Sequence, residues 1–131
     1  MRNSTLIIIA IAVIVLIITL IGLHRYANES PFKISSTVAK QLLAANKFNG
    51  VLDVRTAAER EVLGYLPNSF HVPASDLDVI IPQLFPDKNS NLLVYCNTGQ
   101  RARRATEKLH ALGYKNTVYI AGSYKELFFT R

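Results

Sequence analysis

The sequence contains very little cysteine, since Cys96 is the only one in 131 residues. A single thiol excludes an internal disulfide framework and any zinc site built from several cysteines. The three histidines, His24, His71 and His110, are far apart and lack the spacing of metal ligands. We therefore predict no metal site and no cofactor. Cys96 is then either a buried core residue or a reactive group.

The chain is also short and only moderately charged. A length of 131 residues leaves no room for two separate catalytic domains. Lys and Arg number 15 and Asp and Glu number 9, which gives a net charge of +6. The basic residues have no aromatic platforms interleaved among them, so this charge does not indicate a nucleic-acid partner.

Apolar residues are concentrated near the N-terminus, where residues 5–23 include 16 Leu, Ile, Val or Ala and no charge. As a helix this run would be about 28 Å long, close to the roughly 30 Å hydrocarbon core of a bilayer. A cleaved signal sequence is the alternative, but such signals have shorter apolar regions and small residues before the cleavage site. We predict an uncleaved single-pass transmembrane anchor over 1–24, a polar linker over 25–34 and a soluble domain over 35–131.

The charges that flank the apolar run do not determine its orientation in a membrane. Arg2 and the α-amino group lie on one side, and Arg25 and Lys33 lie on the other. Long C-terminal domains are translocated largely regardless of their charge. The soluble domain can therefore lie on either face of the membrane.

Short strands and helices alternate along the rest of the chain. Apolar, mostly β-branched segments predict strands at Val51–Val54, Phe70–Val72, Leu92–Tyr95 and Thr117–Ile120. Helical periodicity and capping residues predict helices at 35–49, 56–63, 73–84, 102–112 and 123–128, with Pro82 unfavourable in the last turn of the third. Strands that alternate with helices through short links predict a parallel α/β sheet with helices on both faces.

The segment from Cys96 to Arg101 joins the most apolar strand to the clearest helix. In open α/β sheets, ligands bind beyond the carboxyl ends of strands, at the N-termini of the helices that follow. Gly99 allows the backbone to curl so that successive N–H groups point inward. The helix dipole and Arg101 both favour a thiolate at Cys96. The pattern therefore predicts a nucleophilic cysteine.

Arginines crowd the first turn of the same helix, at positions 101, 103 and 104. This is where the helix dipole favours acidic residues, so an anionic ligand would offset the unfavourable placement. For Arg103 and Arg104 a solvated helix face is an equally good explanation.

Four motifs occur in order between residues 35 and 127: Leu52-Asp53-Val54-Arg55 followed by Glu59, Gly64 to Pro73, Val94 to Arg101, and Leu112-Gly113-Tyr114 with Val118 to Gly122. In these motifs the sequence resembles the rhodanese superfamily. The resemblance implies a rhodanese-like, doubly wound parallel sheet, preceded here by the transmembrane helix. It also implies a periplasmic soluble domain.

The resemblance implies a thiosulfate sulfurtransferase whose catalytic residue is Cys96. The thiol would take the outer sulfur of thiosulfate, or of another sulfane-sulfur donor, and hold it as a persulfide for a thiol or cyanide acceptor. The main-chain N–H groups of Asn97, Thr98, Gly99, Gln100 and Arg101 would bind this sulfur, while the Arg101 side chain would pair with the donor's sulfonate. The alternative is a sulfur carrier or interaction module with little turnover of its own.

The length of the cysteine loop separates this sequence from related phosphatases and arsenate reductases. Four residues lie between Cys96 and Arg101, whereas those enzymes place five there to encircle a tetrahedral oxyanion. Tyr65 and Ala121-Gly122-Ser123 depart from the family pattern. These departures affect the rim of the substrate pocket. By the same resemblance Asp53 and Arg55 are structural residues that tie the strand end to neighbouring loops.

Overall fold

A computed structural model describes residues 2–128 of the chain. Residue 1 of the predicted anchor and residues 129–131 of the predicted domain lie outside this range. The first element is a long apolar helix, α1 (Arg2–Asn28), which contains an 18-residue stretch with a mean hydropathy of 3.5. Its length and composition would allow it to cross a membrane, and they are equally compatible with a signal sequence.

Four further helices and four strands form the domain that follows. The helices are α2 (Ser36–Ala44), α3 (Ala57–Leu63), α4 (Leu77–Leu84) and α5 (Gln100–Ala111), and the strands are β1 (Gly50–Asp53), β2 (Phe70–His71), β3 (Leu92–Tyr95) and β4 (Thr117–Tyr119). Short 3-10 turns occupy Ala74–Asp76 and Tyr124–Leu127.

The strands form one parallel sheet in the order β2-β1-β3-β4. Strand β3 lies in the interior of this sheet, with Val94 paired to Leu52 on one side and to Tyr119 on the other. All four residues of β3 are buried. The predicted parallel α/β sheet is therefore confirmed, and the loop after β3 starts from its interior.

Side chains of β3 alternate between two apolar layers, as the period of a strand requires. Leu92 and Val94 pack with residues of α4 and α5, while Leu93 and Tyr95 pack with residues of α2 and the last 3-10 turn. Helices thus cover both faces of the sheet, as predicted. Continued alternation directs Cys96 toward the α5 side, where it joins the first layer.

Several helices differ from those predicted. The helix predicted over 73–84 begins as a 3-10 turn, α5 is Gln100–Ala111 rather than 102–112, and the helix predicted over 123–128 is a 3-10 turn. Helix α2 ends at Ala44, because Asn46 adopts a left-handed conformation with φ of 54° and closes the helix earlier than Asn49. Helix α1 continues through Asn28, so it overlaps the first four residues of the segment predicted as a linker. Pro82 lies inside α4, and the helix continues past it to Leu84.

Candidate active site

Cys96 lies directly after β3, at the carboxyl end of an interior strand. Its side chain is buried, with 1% of the residue exposed. The Gly99 N–H donates a hydrogen bond to Sγ at 3.1 Å. The chain between them curls back over the sulfur, so a main-chain donor at the start of α5 faces the thiol, as the loop sequence predicts.

Gly99 makes this curl possible, because it precedes α5 with φ of 99°. Only glycine adopts this conformation without strain. The backbone is also crowded at this point: a Cβ atom on Gly99 would lie 2.7 Å from Cα of Ala121. The loop therefore requires glycine for two separate reasons.

We expect Gly99→Ala to destabilise the fold by more than the roughly 1–2 kcal/mol that a left-handed alanine costs, and to impair the site. The matched control is Gly113→Ala, because Gly113 has the same φ of 99° but its Cβ would meet only the Lys88 side chain, at 3.7 Å. Chemical denaturation of both variants measures the difference. Equal losses of stability would show that contact with Ala121 does not constrain the loop.

The Arg101 guanidinium is held by Glu59 of α3. Its two terminal nitrogens donate to the two carboxylate oxygens of Glu59 at 2.7 and 2.9 Å. The same carboxylate accepts the Thr56 N–H at 2.8 Å, as part of the predicted cap of α3. The hydrogen bonds from Arg101, with that from the Thr56 backbone, lower the pKa of Glu59 to about 2.

This lowered pKa predicts the pH dependence of the contact. Between pH 4.5, the ordinary pKa of the carboxyl group, and about 2, the unfolded chain binds a proton that the folded chain does not. The stabilisation by Glu59 is thus complete above pH 4.5 and is lost as the pH falls toward 2. We expect the difference in free energy of unfolding between the natural chain and Glu59→Gln to shrink over this range. A difference that stays constant in denaturant titrations across the range would contradict this account.

Behind the loop, Asp53 and Arg55 form a buried ion pair. Arg55 donates to both carboxylate oxygens of Asp53, at 2.9 and 2.8 Å, and neither side chain is exposed. Burial alone would raise the pKa of Asp53, but the hydrogen bonds from Arg55 outweigh it and lower this pKa. Arg55 also donates to the Gly64 carbonyl at 2.7 Å and to Asn97 Oδ1 at 3.2 Å. The pair thus fixes the first residue of the cysteine loop.

Thr98, and two further residues considered from the sequence, His71 and Arg103, have other partners. Thr98 is exposed and its hydroxyl donates to the Gln100 side chain. His71 Nε2 lies 2.8 Å from the Arg55 carbonyl oxygen. Arg103 points toward the end of α1, where its guanidinium stacks on the Tyr26 ring. Within residues 2–128, no group of three or more His, Cys, Asp or Glu side chains could hold a metal ion.

Sequence reasoning missed the contact of Glu59 with Arg101. The only signal was the spacing of Thr56 and Glu59, which a helix cap already explains. In the structure the Glu59 carboxylate accepts the Thr56 N–H at the start of α3 and also holds the arginine of the cysteine loop. The site as a whole is a buried thiol beneath the N-terminus of a helix, with an arginine beside it. Such a site suits covalent transfer of a group through sulfur.

Comparison with known proteins identifies the family of the chain. The Rhodanese-like domain family matches residues 35–128, and the chain belongs to that family. Thiosulfate sulfurtransferase PspE from Escherichia coli is 32% identical over 76 residues, which are 58% of this chain and 71% of PspE. The structure of the human single-domain sulfurtransferase TSTD1 superposes with a TM-score of 0.62 at 26% identity, covering 74% of this chain and 95% of that one.

The family also includes proteins with other activities. A tRNA uridine(34) hydroxylase from Erwinia tasmaniensis is 30% identical over 79 residues, but these are 57% of this chain and only 22% of the hydroxylase. The predicted resemblance and fold class are therefore confirmed, and the relatives support chemistry of the sulfurtransferase type. The sulfur donor and acceptor are not determined by family membership.

Proposed function

We propose that the protein is a membrane-anchored thiosulfate sulfurtransferase that carries sulfane sulfur on Cys96. The observation that supports this most directly is the Gly99 N–H placed 3.1 Å from Sγ, at the N-terminus of α5. A persulfide formed at Sγ would place its negative outer sulfur near the same main-chain donor and the positive end of the helix dipole.

The reaction consists of two displacements through a covalent intermediate. The Cys96 thiolate attacks the outer sulfur of thiosulfate, the S–S bond of thiosulfate breaks, and its electron pair leaves with sulfite. An external nucleophile, a thiolate or cyanide, then attacks the outer sulfur of the persulfide. The S–S bond to Cys96 breaks, and its electron pair restores the thiolate. No redox partner is required.

Arg101 has to accept a second anionic partner during the first displacement. Its guanidinium is bound by Glu59, so a donor sulfonate must share or replace that carboxylate. The nearby positive charge still favours an anionic donor at the mouth of the loop. We propose that Arg101 binds the donor while Glu59 holds the guanidinium in position.

Formation of thiocyanate from thiosulfate and cyanide by the full-length chain in detergent tests this function. Steady turnover that saturates with thiosulfate is the expected result. A sulfur carrier with little turnover is the second candidate, favoured by the near-complete burial of Cys96 and by the occupied Arg101. A single stoichiometric transfer without further turnover would establish the carrier instead.

We also propose that α1 anchors the chain in a membrane and that the domain lies in the periplasm. We retain the division into an anchor over 1–24, a linker over 25–34 and a domain over 35–131. Support comes from the exposed apolar surface of α1, such as Leu6 and Ile18, each 63% exposed. Protease added to spheroplasts should then digest the domain. Protection of the domain until the membrane is permeabilised would place it on the cytoplasmic side.

A further inference from the structure

The end of α1 is docked against the domain rather than free. Ala27 is completely buried, and its carbonyl accepts a hydrogen bond from the Tyr119 hydroxyl at 2.6 Å. The Arg103 guanidinium donates to the carbonyls of Tyr26 and, at 3.2 Å, Glu29. The Tyr26 carbonyl belongs to the last turn of this 27-residue helix and Glu29 directly follows the helix, so Arg103 lies where the dipole favours a cation. The contact explains why an arginine lies in the first turn of α5.

A second contact fixes the rotation of α1 about its axis. The Tyr26 hydroxyl donates to Glu107 of α5 at 3.3 Å, and Arg103 binds the other oxygen of this carboxylate at 2.6 Å while stacking on the Tyr26 ring. Backbone and side-chain contacts thus hold α1 to α5 at one place. The direction in which α1 leaves the domain is determined by this junction, defined as Tyr26, Ala27, Arg103, Glu107 and Tyr119.

From this junction, α1 passes the cysteine loop. One turn and two turns before the junction, Leu23 and Leu20 line a cleft of about 550 Å³. The cleft is also lined by Asn97, Thr98 and Gln100 of the cysteine loop, by His24 and Asn28 of α1, and by Glu126. The cleft beside the loop is therefore amphipathic, with an apolar wall formed by Leu20 and Leu23 and polar side chains around it.

With α1 in a bilayer, as proposed above, this cleft lies at the membrane surface. The uncharged run ends at Leu23, and His24, which also lines the cleft, is the first polar residue after it. Leu20 lies one turn deeper, about 4.5 Å further into the hydrocarbon. The cysteine loop therefore faces the bilayer at the depth of the lipid headgroups.

We propose that this cleft receives a lipid-borne thiol, which is the acceptor of the Cys96 sulfane sulfur. The proposal rests on the proposed function. The acceptor has to be external, since the chain has no second cysteine, and the apolar wall suits an acyl chain better than it suits the water-soluble thiosulfate dianion. The lipid thiolate attacks the outer sulfur, the S–S bond to Cys96 breaks, and a lipid persulfide and the Cys96 thiolate are formed.

The test uses the full-length chain in phosphatidylcholine vesicles, with phosphatidylthioethanol as the lipid thiol and mercaptoethanol as the soluble one. Cys96 is loaded with thiosulfate, and the loss of its persulfide is followed by mass spectrometry. We expect Arg103→Ala to slow discharge to the lipid thiol about tenfold or more, because the loop is no longer held at the bilayer surface. Loading and discharge to mercaptoethanol should not change.

The matched control is Lys108→Ala, which removes an exposed ion pair of α5 with Asp78, away from the junction. Tyr26→Ala breaks the junction from the α1 side and replaces Arg103→Ala if that variant does not fold. Equal slowing with both thiols, or no slowing with either, would overturn the proposal. Two other results would contradict the proposed function itself: failure of thiosulfate to load Cys96, and loss of the protein from floated vesicles.

Discussion

Cys96→Ser is expected to lower thiocyanate formation from thiosulfate and cyanide by at least about a thousandfold, to the uncatalysed rate. A serine hydroxyl occupies nearly the same space but cannot hold a sulfane sulfur as a persulfide. Without this persulfide, the covalent intermediate that links the two displacements cannot form. The measurement is steady-state turnover of the full-length variant in detergent.

A matched comparison separates lost chemistry from lost structure. Cys96 is buried in the apolar layer beneath α5, so the serine hydroxyl could weaken the fold slightly. Thermal unfolding of the variant should therefore be cooperative and close to that of the natural chain. Substantial turnover by a folded Cys96→Ser variant would mean that the reaction does not pass through this residue.

Asp53→Ala is expected to destabilise the domain by about 3–5 kcal/mol, because it leaves the Arg55 guanidinium buried without its counterion. Asp53 also accepts hydrogen bonds from Tyr95, at 3.0 Å, and from Arg60, at 3.2 Å. Tyr95 and Arg60 therefore also lose the Asp53 carboxylate as their acceptor in Asp53→Ala. Chemical denaturation of the full-length chain measures the loss.

Asp78→Ala is the control for charge removal alone. Asp78 pairs with Lys108 at 3.5 Å, and both side chains are about half exposed. Such surface pairs contribute at most about 1 kcal/mol. Similar losses in Asp53→Ala and Asp78→Ala would show that the buried pair does not hold the strand end together.

The sequence was sufficient to predict the elements that carry the cysteine loop. The apolar run before Cys96 predicted β3, and Gly113, which directly follows the helix predicted over 102–112, adopts φ of 99° after the end of α5. Both depend on local patterns, in which neighbouring residues determine the conformation. The order of the strands in the sheet was not predicted, because it depends on contacts between distant segments.

The distinction between local patterns and contacts of distant residues also applies to the site. Gly99 and Cys96 are three residues apart, so their contact follows from the conformation of one loop. Arg101 and Glu59 are 42 positions apart, and no local pattern joins them. The contact between Arg103 and Tyr26 spans 77 positions and gave no signal, so a solvated face for Arg103 was an equally good interpretation.

Intact-protein mass spectrometry after brief exposure to thiosulfate tests the central claim most directly. The account predicts a mass increase of one sulfur atom, located on the peptide that contains Cys96 and lost on addition of cyanide. The increase should be absent in Cys96→Ser. A folded chain that gains no sulfur on Cys96 from thiosulfate would contradict the account.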